Sequence, residues 1–508
     1  MTSPTSPRAT RREWIGLAVI ALPCMLYSMD LTVLNLAVPS LTADLRPSAS
    51  QLLWIVDIYG FLIAGSLLTM GTLGDRIGRR KLLLIGAACF GLASIFAAFA
   101  PTAELLIVAR ALLGVAGATL APSTLSLISN MFPDDRERTL AISVWVASFS
   151  AGGAIGPVIG GIMLQYFWWG SVFLIAVPIM VLLLILGPVL LPEYRDPKAG
   201  RLDLVSAAMS LVAMLAVIYG IKLLAEGGEL PMVAGAIAAG VAVGALFIRR
   251  QLRLAHPLLD LSLFRHPTFS AALAINVFGF FGMFGSFLLV AQFLQLVVGL
   301  SPLEAGLWGL PSGVGFIAGS VLTSPMLKLL RPPQLLTLGL AVAGVGFLLM
   351  TQVSGPESLP VIIAAGVLQA LGMSQCASIA ADLVVSSAPP ERAGTASALN
   401  ETSSEFGGAL GIALLGALVT AIYRSDLGRL LPTTIPSSSA EVARRGIGAA
   451  SAESEMLGEA PGAALLEAAQ VAYTGAFQVT AACSAALMAI AAVTAIAIFR
   501  RPNRPATA

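Results

Sequence analysis

The chain has 508 residues, of which 57% are hydrophobic and only 11% charged, with a formal net charge of +2. Soluble globular chains carry roughly 25% charged residues, and half that density cannot clothe a water-facing surface. A soluble enzyme, a disordered chain and a nucleic-acid binder are excluded; a protein dissolved in lipid remains. The four cysteines lie in apolar stretches without C-x-x-C spacing, and the two histidines, His256 and His266, sit near apparent loops. Neither a disulfide framework nor a metal site is expected.

A membrane-crossing helix needs about 20 mostly apolar residues. In chain order such segments fall at 15–38, 52–73, 82–100, 105–126, 140–163, 172–191, 204–223, 232–248, 269–298, 305–327, 335–350, 359–384, 396–422 and 473–499, fourteen predicted spans. The first is too long for a leader's apolar core and contains Asp30, so it reads as a span. Basic residues set the orientation. With the N-terminus inside, 22 of the 29 Lys and Arg fall on the inner side. Six fall outside (Arg46, Lys222, Arg424, Arg429, Arg444 and Arg445), and Arg110 lies within span 4. Both termini are expected in the cytoplasm. Segment 424–472, rich in Ala, Ser, Gly and Glu, is expected outside as a solvated loop with some short helix.

Ile63-Ala64-Gly65-Ser66 recurs as Ile317-Ala318-Gly319-Ser320, an offset of 254. Pro133-Asp134-Asp135-Arg136 echoes Pro389-Pro390-Glu391-Arg392, an offset of 256. Three parts are expected: a six-helix bundle at 1–192, an inserted hairpin of spans 7 and 8 with its flanking loop at 193–250, and a second six-helix bundle at 251–508. Parallel repeats of this kind put a transport site near the bilayer midplane.

Charges inside spans mark candidate sites, since each costs at least ~2.5–3.5 kcal/mol in the bilayer. The first half offers Asp30, Asp57 and Arg110, which fall at similar depth. Asp30 and Arg110 suit a tuned proton site; a structural Asp30 pair with Arg110 or Asn35 is the plainer alternative. Asp57 is placed near the outer rim, with Trp54 and Phe61 on roughly its helix face, a setting that suits a hydrophobic cation. In the second half, Glu401 and Glu405 share a face of span 13 by their i, i+4 spacing. As neighbouring carboxylates they should titrate as a coupled pair. The stripe Phe280, Met283, Phe284 and Phe287 reads more readily as packing or lipid-facing surface than as pocket wall.

Four motifs carry a family resemblance. Gly71-Thr72-Leu73-Gly74-Asp75-Arg76-Ile77-Gly78-Arg79-Arg80 resembles the G-x-L-x-D-R-x-G-R-[RK] signature of the major facilitator superfamily. Met29-Asp30-Leu31-Thr32-Val33-Leu34-Asn35 is similar to a span-1 motif of its fourteen-helix drug:proton antiporters. Arg110 to Gly117 resembles the span-4 motif, and Gly152 with Gly156-Pro157-Val158-Ile159-Gly160-Gly161 resembles the antiporter motif of span 5. The likeness is greatest to multidrug exporters of the QacA/EmrB type. It implies an all-α polytopic membrane protein with the major facilitator fold: two pseudo-symmetric six-helix bundles plus an inserted two-helix hairpin.

The implied activity is proton-coupled export of hydrophobic, mainly cationic drugs, dyes or biocides across the inner membrane, by a monomer that is not an enzyme. No cofactor is expected beyond the proton gradient; the partners are hydrophobic cations, protons and membrane lipids. Proton coupling is expected at Asp30, Arg110, Glu401 and Glu405, and cargo contact at Asp57, Trp54, Phe61, Asp30 and Glu405. Gly74, Asp75, Arg76, Gly78, Arg79 and Arg80 are expected to form an inner gate, and Gly152, Gly156, Pro157, Gly160 and Gly161 a hinge. The competing reading is a symporter, or an exporter of a specific metabolite or lipid, on the same fold. An ATP-driven pump is excluded, because no loop could hold a nucleotide domain and no G-x-x-x-x-G-K-[ST] occurs.

Overall fold

The computed structural model describes residues 8–195, 203–225, 228–254, 257, 261–387 and 393–499. The echo at 389–392, Glu226 and His256 lie outside them, as does the side chain of Asp75. Among the described residues every regular element is helical. The helices are α1 (Arg11–Leu45), α2 (Ala49–Ile77), α3 (Arg79–Ala98), α4 (Ala103–Gly117), α5 (Leu120–Met131), α6 (Asp135–Tyr166), α7 (Ser171–Leu174), α8 (Ala176–Leu190), α9 (Leu204–Ala225) and α10 (Leu230–Gln251). They continue as α11 (Pro267–Gln292), α12 (Pro302–Met326), α13 (Pro332–Met350), α14 (Leu359–Ser386), α15 (Ala393–Leu430), α16 (Ser437–Ala443), α17 (Ile447–Met456) and α18 (Glu459–Phe499). Among the described residues fourteen segments are long and apolar enough to cross a membrane; α4 with α5, and α7 with α8, each make one.

Local chemistry sets the boundaries. Thr10 and Glu13 form a capping box at the start of α1, and Ser48 and Gln51 do the same for α2. These side chains satisfy amides that a helix start leaves open. Gly78 separates α2 from α3 at φ 111°, a backbone region that L side chains rarely tolerate.

The helices form two compact units. Unit 1 comprises Met1–Gly220, Ala234–Leu258 and Ser301–Leu307; unit 2 comprises Ile221–Val233, Leu259–Leu300 and Trp308–Ala508. In unit 1, α1 lies along α6, and α3 packs on α4 and α8. In unit 2, α11 lies along α15, and α13 packs on α14 and α18. The α1 and α11 starts are 256 residues apart (Arg11 and Pro267), as are the α4 and α14 starts (Ala103 and Leu359). Each unit has an apolar interior, with Ile20, Leu83 and Leu106 fully enclosed in one and Phe269, Leu335 and Met488 in the other. Leu92, Val241, Val314 and Val493 are all at least 60% exposed, as lipid-facing side chains are.

Lys222, counted with the outer set, lies in the last turn of α9 and is 1% exposed. One expectation is corrected. Segment 424–472 is mostly helix: α15 runs to Leu430, α16 and α17 follow, and α18 starts at Glu459. Its small residues pack rather than dissolve, with Ala443, Ile447 and Ala450 buried and the Tyr423 hydroxyl donating to the Ala443 carbonyl at 3.1 Å.

The hairpin is clamped at its base. Asp203 accepts from the Ser206 amide (3.0 Å) and pairs with Arg250 of α10 (2.9 Å), while Gln251 and Arg250 both donate to the Ser206 hydroxyl. Burial opposes the Asp203 carboxylate, but hydrogen bonds from Ser206 and Arg250 outweigh it and hold the acid below the usual carboxylate range.

Candidate functional site

α1 carries Asp30 and α4 carries Arg110, and unit 1 brings them together. Arg110 Nη1 lies 2.6 Å from Asp30 Oδ2, with the arginine side chain 1% exposed and the aspartate 13%. Arg110 Nε donates to the Ile55 carbonyl at 3.1 Å and Nη2 to that of Val56 at 3.5 Å. The guanidinium carbon sits 4.4 Å from the Tyr59 ring centroid and 5.9 Å from that of Phe173. A guanidinium never loses its proton in a protein. The pair can therefore change charge only at Asp30, which is also its more accessible end. Protonating Asp30 would break the ion pair while carbonyls and rings still hold Arg110.

α2 departs from the expected arrangement. Asp57, placed near an outer rim from the sequence, is fully enclosed, as is Phe61; Trp54 is half-buried. Ile55, Tyr59 and Ile63 of the same helix are also 0% exposed, so this stretch of α2 is closed in on several sides. Of this trio only Trp54 presents surface here.

The glycines of α6 press on α1. A side chain at Gly152 would run into the Met25 carbonyl; one at Gly156 would come within 2.5 Å of Thr32 Oγ1, and one at Gly160 within 2.6 Å of Val33 Cγ1. Asp30 lies on the stretch of α1 so gripped. Gly161 has the Leu303 backbone in the same relation at 2.7 Å, and Pro157 lies inside a continuous helix with its carbonyl against Gly306.

The basic loop is tied by a residue the sequence reading missed. Glu193 Oε1 accepts from the Arg80 amide at 3.1 Å, and its other oxygen is 3.6 Å from Arg80 Nε. The Arg79 amide donates to the Tyr194 carbonyl, and Arg80 Nη1 to those of Pro188 and Leu191. Arg79 also reaches the Pro122 carbonyl, Gly74 is buried against Arg79, and Arg76 is exposed. A carboxylate at the start of α3 and guanidinium at the end of α8 each complement the local helix dipole. The only sequence signal was an acid just past a span.

Unit 2 repeats the glycine grip without the ion pair. Gly407 and Gly411 of α15 lie against the carbonyls of Val277 and Phe281 on α11. Ser286 stands 256 residues after Asp30, and Gln369 of α14 donates to its hydroxyl at 2.8 Å, a neutral bond where unit 1 has charge. Glu401 is exposed and Glu405 half-buried. Beside them Asn276 donates to Ser403 Oγ (2.9 Å), Ser404 Oγ (2.7 Å) and the Asn400 carbonyl (3.2 Å). This buried bracket sets the rotation of α15 about the two acids. It too escaped the sequence reading; an Asn in an apolar span opposite a Ser-Ser pair was the available signal. Among the described residues no cluster of three or more His, Cys, Asp or Glu could hold a metal.

The family model of the Major Facilitator Superfamily matches residues 20–412. Over 499 residues the chain is 43% identical to the multidrug efflux pump LfrA of Mycolicibacterium smegmatis, covering 98% of this chain and 99% of that one. It is 35% identical over 492 residues to the methyl viologen resistance protein SmvA of Salmonella typhimurium, covering 95% and 97%. A tetracenomycin C resistance and export protein of Streptomyces glaucescens is 33% identical over 413 residues, covering 81% and 76%. Among solved structures, an inward-facing bacterial homolog of the human lysosomal transporter Spinster aligns with TM-score 0.67 at 17% identity, over 96% of this chain and 99% of that one. The peptide transporter POT aligns at 0.65 and 17%, over 96% and 95%. At such identities these two speak to the fold alone.

Proposed function

The chain belongs to the major facilitator superfamily, a multi-pass membrane transporter and not an enzyme, and we propose that it is a proton-coupled antiporter exporting hydrophobic, mainly cationic drugs. The observation that carries the coupling is the enclosed Arg110 paired with the carboxylate of Asp30 at 2.6 Å. Proton and cationic cargo compete for such a carboxylate. Protonation from outside would release the cargo there, and deprotonation toward the inside would restore the ion pair. The names of LfrA and SmvA support drug and organic-cation cargo. On this reading the protein sits in the cytoplasmic membrane as a monomer with both termini inside, the orientation the basic residues favour.

The test is flux in proteoliposomes. An imposed pH gradient should drive uptake or efflux of a fluorescent organic cation, and a protonophore should abolish it. Cation movement indifferent to the gradient, or gradient-driven movement of neutral metabolites instead, would defeat the proposal.

A further inference from the structure

We propose that Phe284 and Gly408 form an aromatic platform in unit 2 that makes the pump select planar aromatic cations over alkyl ones. The inference rests on the export function proposed above and adds the feature that discriminates between cargos.

The platform follows from one missing side chain. The Phe284 ring of α11 occupies the place where a Cβ on Gly408 of α15 would stand. It is flanked by Phe280, with centroids 5.6 Å apart, and by Phe287, 5.7 Å apart. The two helices run in the same direction, because Asn276 meets Ser403 and Ser404, Val277 meets Gly407, and Phe281 meets Gly411. Helical geometry then fixes where the acids lie. Gly408 stands three residues after Glu405 and seven after Glu401, which puts all three within roughly 60° on one side of α15. Phe280 precedes Phe284 by one turn, as Glu405 precedes Gly408. Rings and carboxylates thus climb the two helices in step.

This side presents surface. Phe280, Met283, Phe284, Phe287 and Glu405 are half-buried and Glu401 is exposed. Phe278, which is 42% exposed, points roughly opposite to the stripe. Packing alone does not require the arrangement, since unit 1 solves the same helix contact otherwise. The residues 256 earlier are Ser28 in place of Phe284, and Trp145 and Phe149 in place of Glu401 and Glu405. There the rings stand on α6, 4.8 Å apart, with Trp145 bonded to Thr124. At these matching places unit 2 has the rings on α11 and the acids on α15, where unit 1 has a serine and two rings. A flat cation can stack on the Phe284 face while its charge meets a carboxylate; an alkyl ammonium gains the charge attraction but no stacking face.

The experiment compares ethidium with dodecyltrimethylammonium, both loaded into proteoliposomes and exported under the same pH gradient. Phe284→Leu keeps the apolar bulk and removes the ring, so the ethidium-to-dodecyltrimethylammonium rate ratio should fall by about tenfold, between the scales of an exposed and a desolvated cation–π contact. Phe284→Tyr should restore the ratio. Gly408→Ala, whose methyl must displace the ring, should lower it as Phe284→Leu does. An unchanged ratio in Phe284→Leu, or a ratio that Phe284→Tyr fails to restore, overturns the platform. Wild-type protein that moves neither cation with the gradient would overturn the export function instead.

Discussion

Arg110 is enclosed, permanently charged and anchored by two carbonyls and two rings, so the burden of neutrality falls on Asp30. Replacing Asp30 by Asn keeps a hydrogen-bond acceptor in place and removes the titration. The Asp30→Asn protein should fold and reach the membrane, because the other contacts of Arg110 survive, yet its gradient-driven efflux should drop to the leak rate of empty liposomes. Normal efflux by a well-expressed variant would remove Asp30 from the coupling. A second carboxylate makes the opposite case. Asp203 clamps the hairpin, with its pKa held below the ordinary value by Ser206 and Arg250. A depressed acid stabilises fully above its unfolded pKa and loses that contribution only as pH falls through the folded value. Asp203→Asn should therefore cost about 1–2 kcal/mol, the scale of a charge-assisted hydrogen bond. The loss should be constant from pH 5 to 8 and vanish in strong acid. Thermal unfolding in detergent across that range checks it, and a loss that varies between pH 5 and 8 would assign the clamp to another group.

Packing of α6 on α1 meets side chains at Gly156 and Gly160 but a carbonyl at Gly152. At Gly152 the obstacle to a methyl group is the backbone oxygen of Met25, which cannot rotate away. Gly152→Ala must push the helices apart along the stretch that carries Asp30, at about 1–3 kcal/mol for overpacking. A lower melting temperature and slower efflux should appear together; slow efflux at unchanged melting temperature would make Gly152 a hinge and not a spacer. At this scale much was legible. Lipid demands about 20 apolar residues per crossing, which is why fourteen spans could be counted. A charge in lipid demands a partner, which is why Asp30 and Arg110 could be matched. What the sequence hid was chemistry with weaker demands. The helices between Leu430 and Glu459 are built from Ala and Ser without an apolar stripe, and they read as loop until their packing is seen. Glu193 and Asn276 act through backbone and hydroxyl groups contributed by other helices, and no local spacing announces such partners. The enclosure of Asp57 was not legible either, because depth along a helix does not say whether neighbouring helices close over it.

Across the whole molecule the two units carry different chemistry on one repeated plan. Unit 1 holds an ion pair at Asp30; unit 2 puts the uncharged Ser286 at the matching place and sets its acids on α15 instead. Were both acid groups simply proton carriers, losing either should stop all transport alike. The exposure of Glu401 and the half-burial of Glu405 argue for a division of labour, with Asp30 exchanging proton for cargo and the α15 pair reading any further charge that the cargo carries. A monovalent cation needs one carboxylate, while a dication such as methyl viologen can engage both. Removing one charge at a separation of several ångströms in a partly wet site costs about 1–2 kcal/mol. Glu401→Gln and Glu405→Gln should thus slow efflux of methyl viologen about tenfold more than efflux of ethidium, while Asp30→Asn stops both. Parallel loss of the two cargos in the Gln variants would make α15 part of the proton path. Full activity of both variants would leave the acids to the packing that the Asn276 bracket already provides.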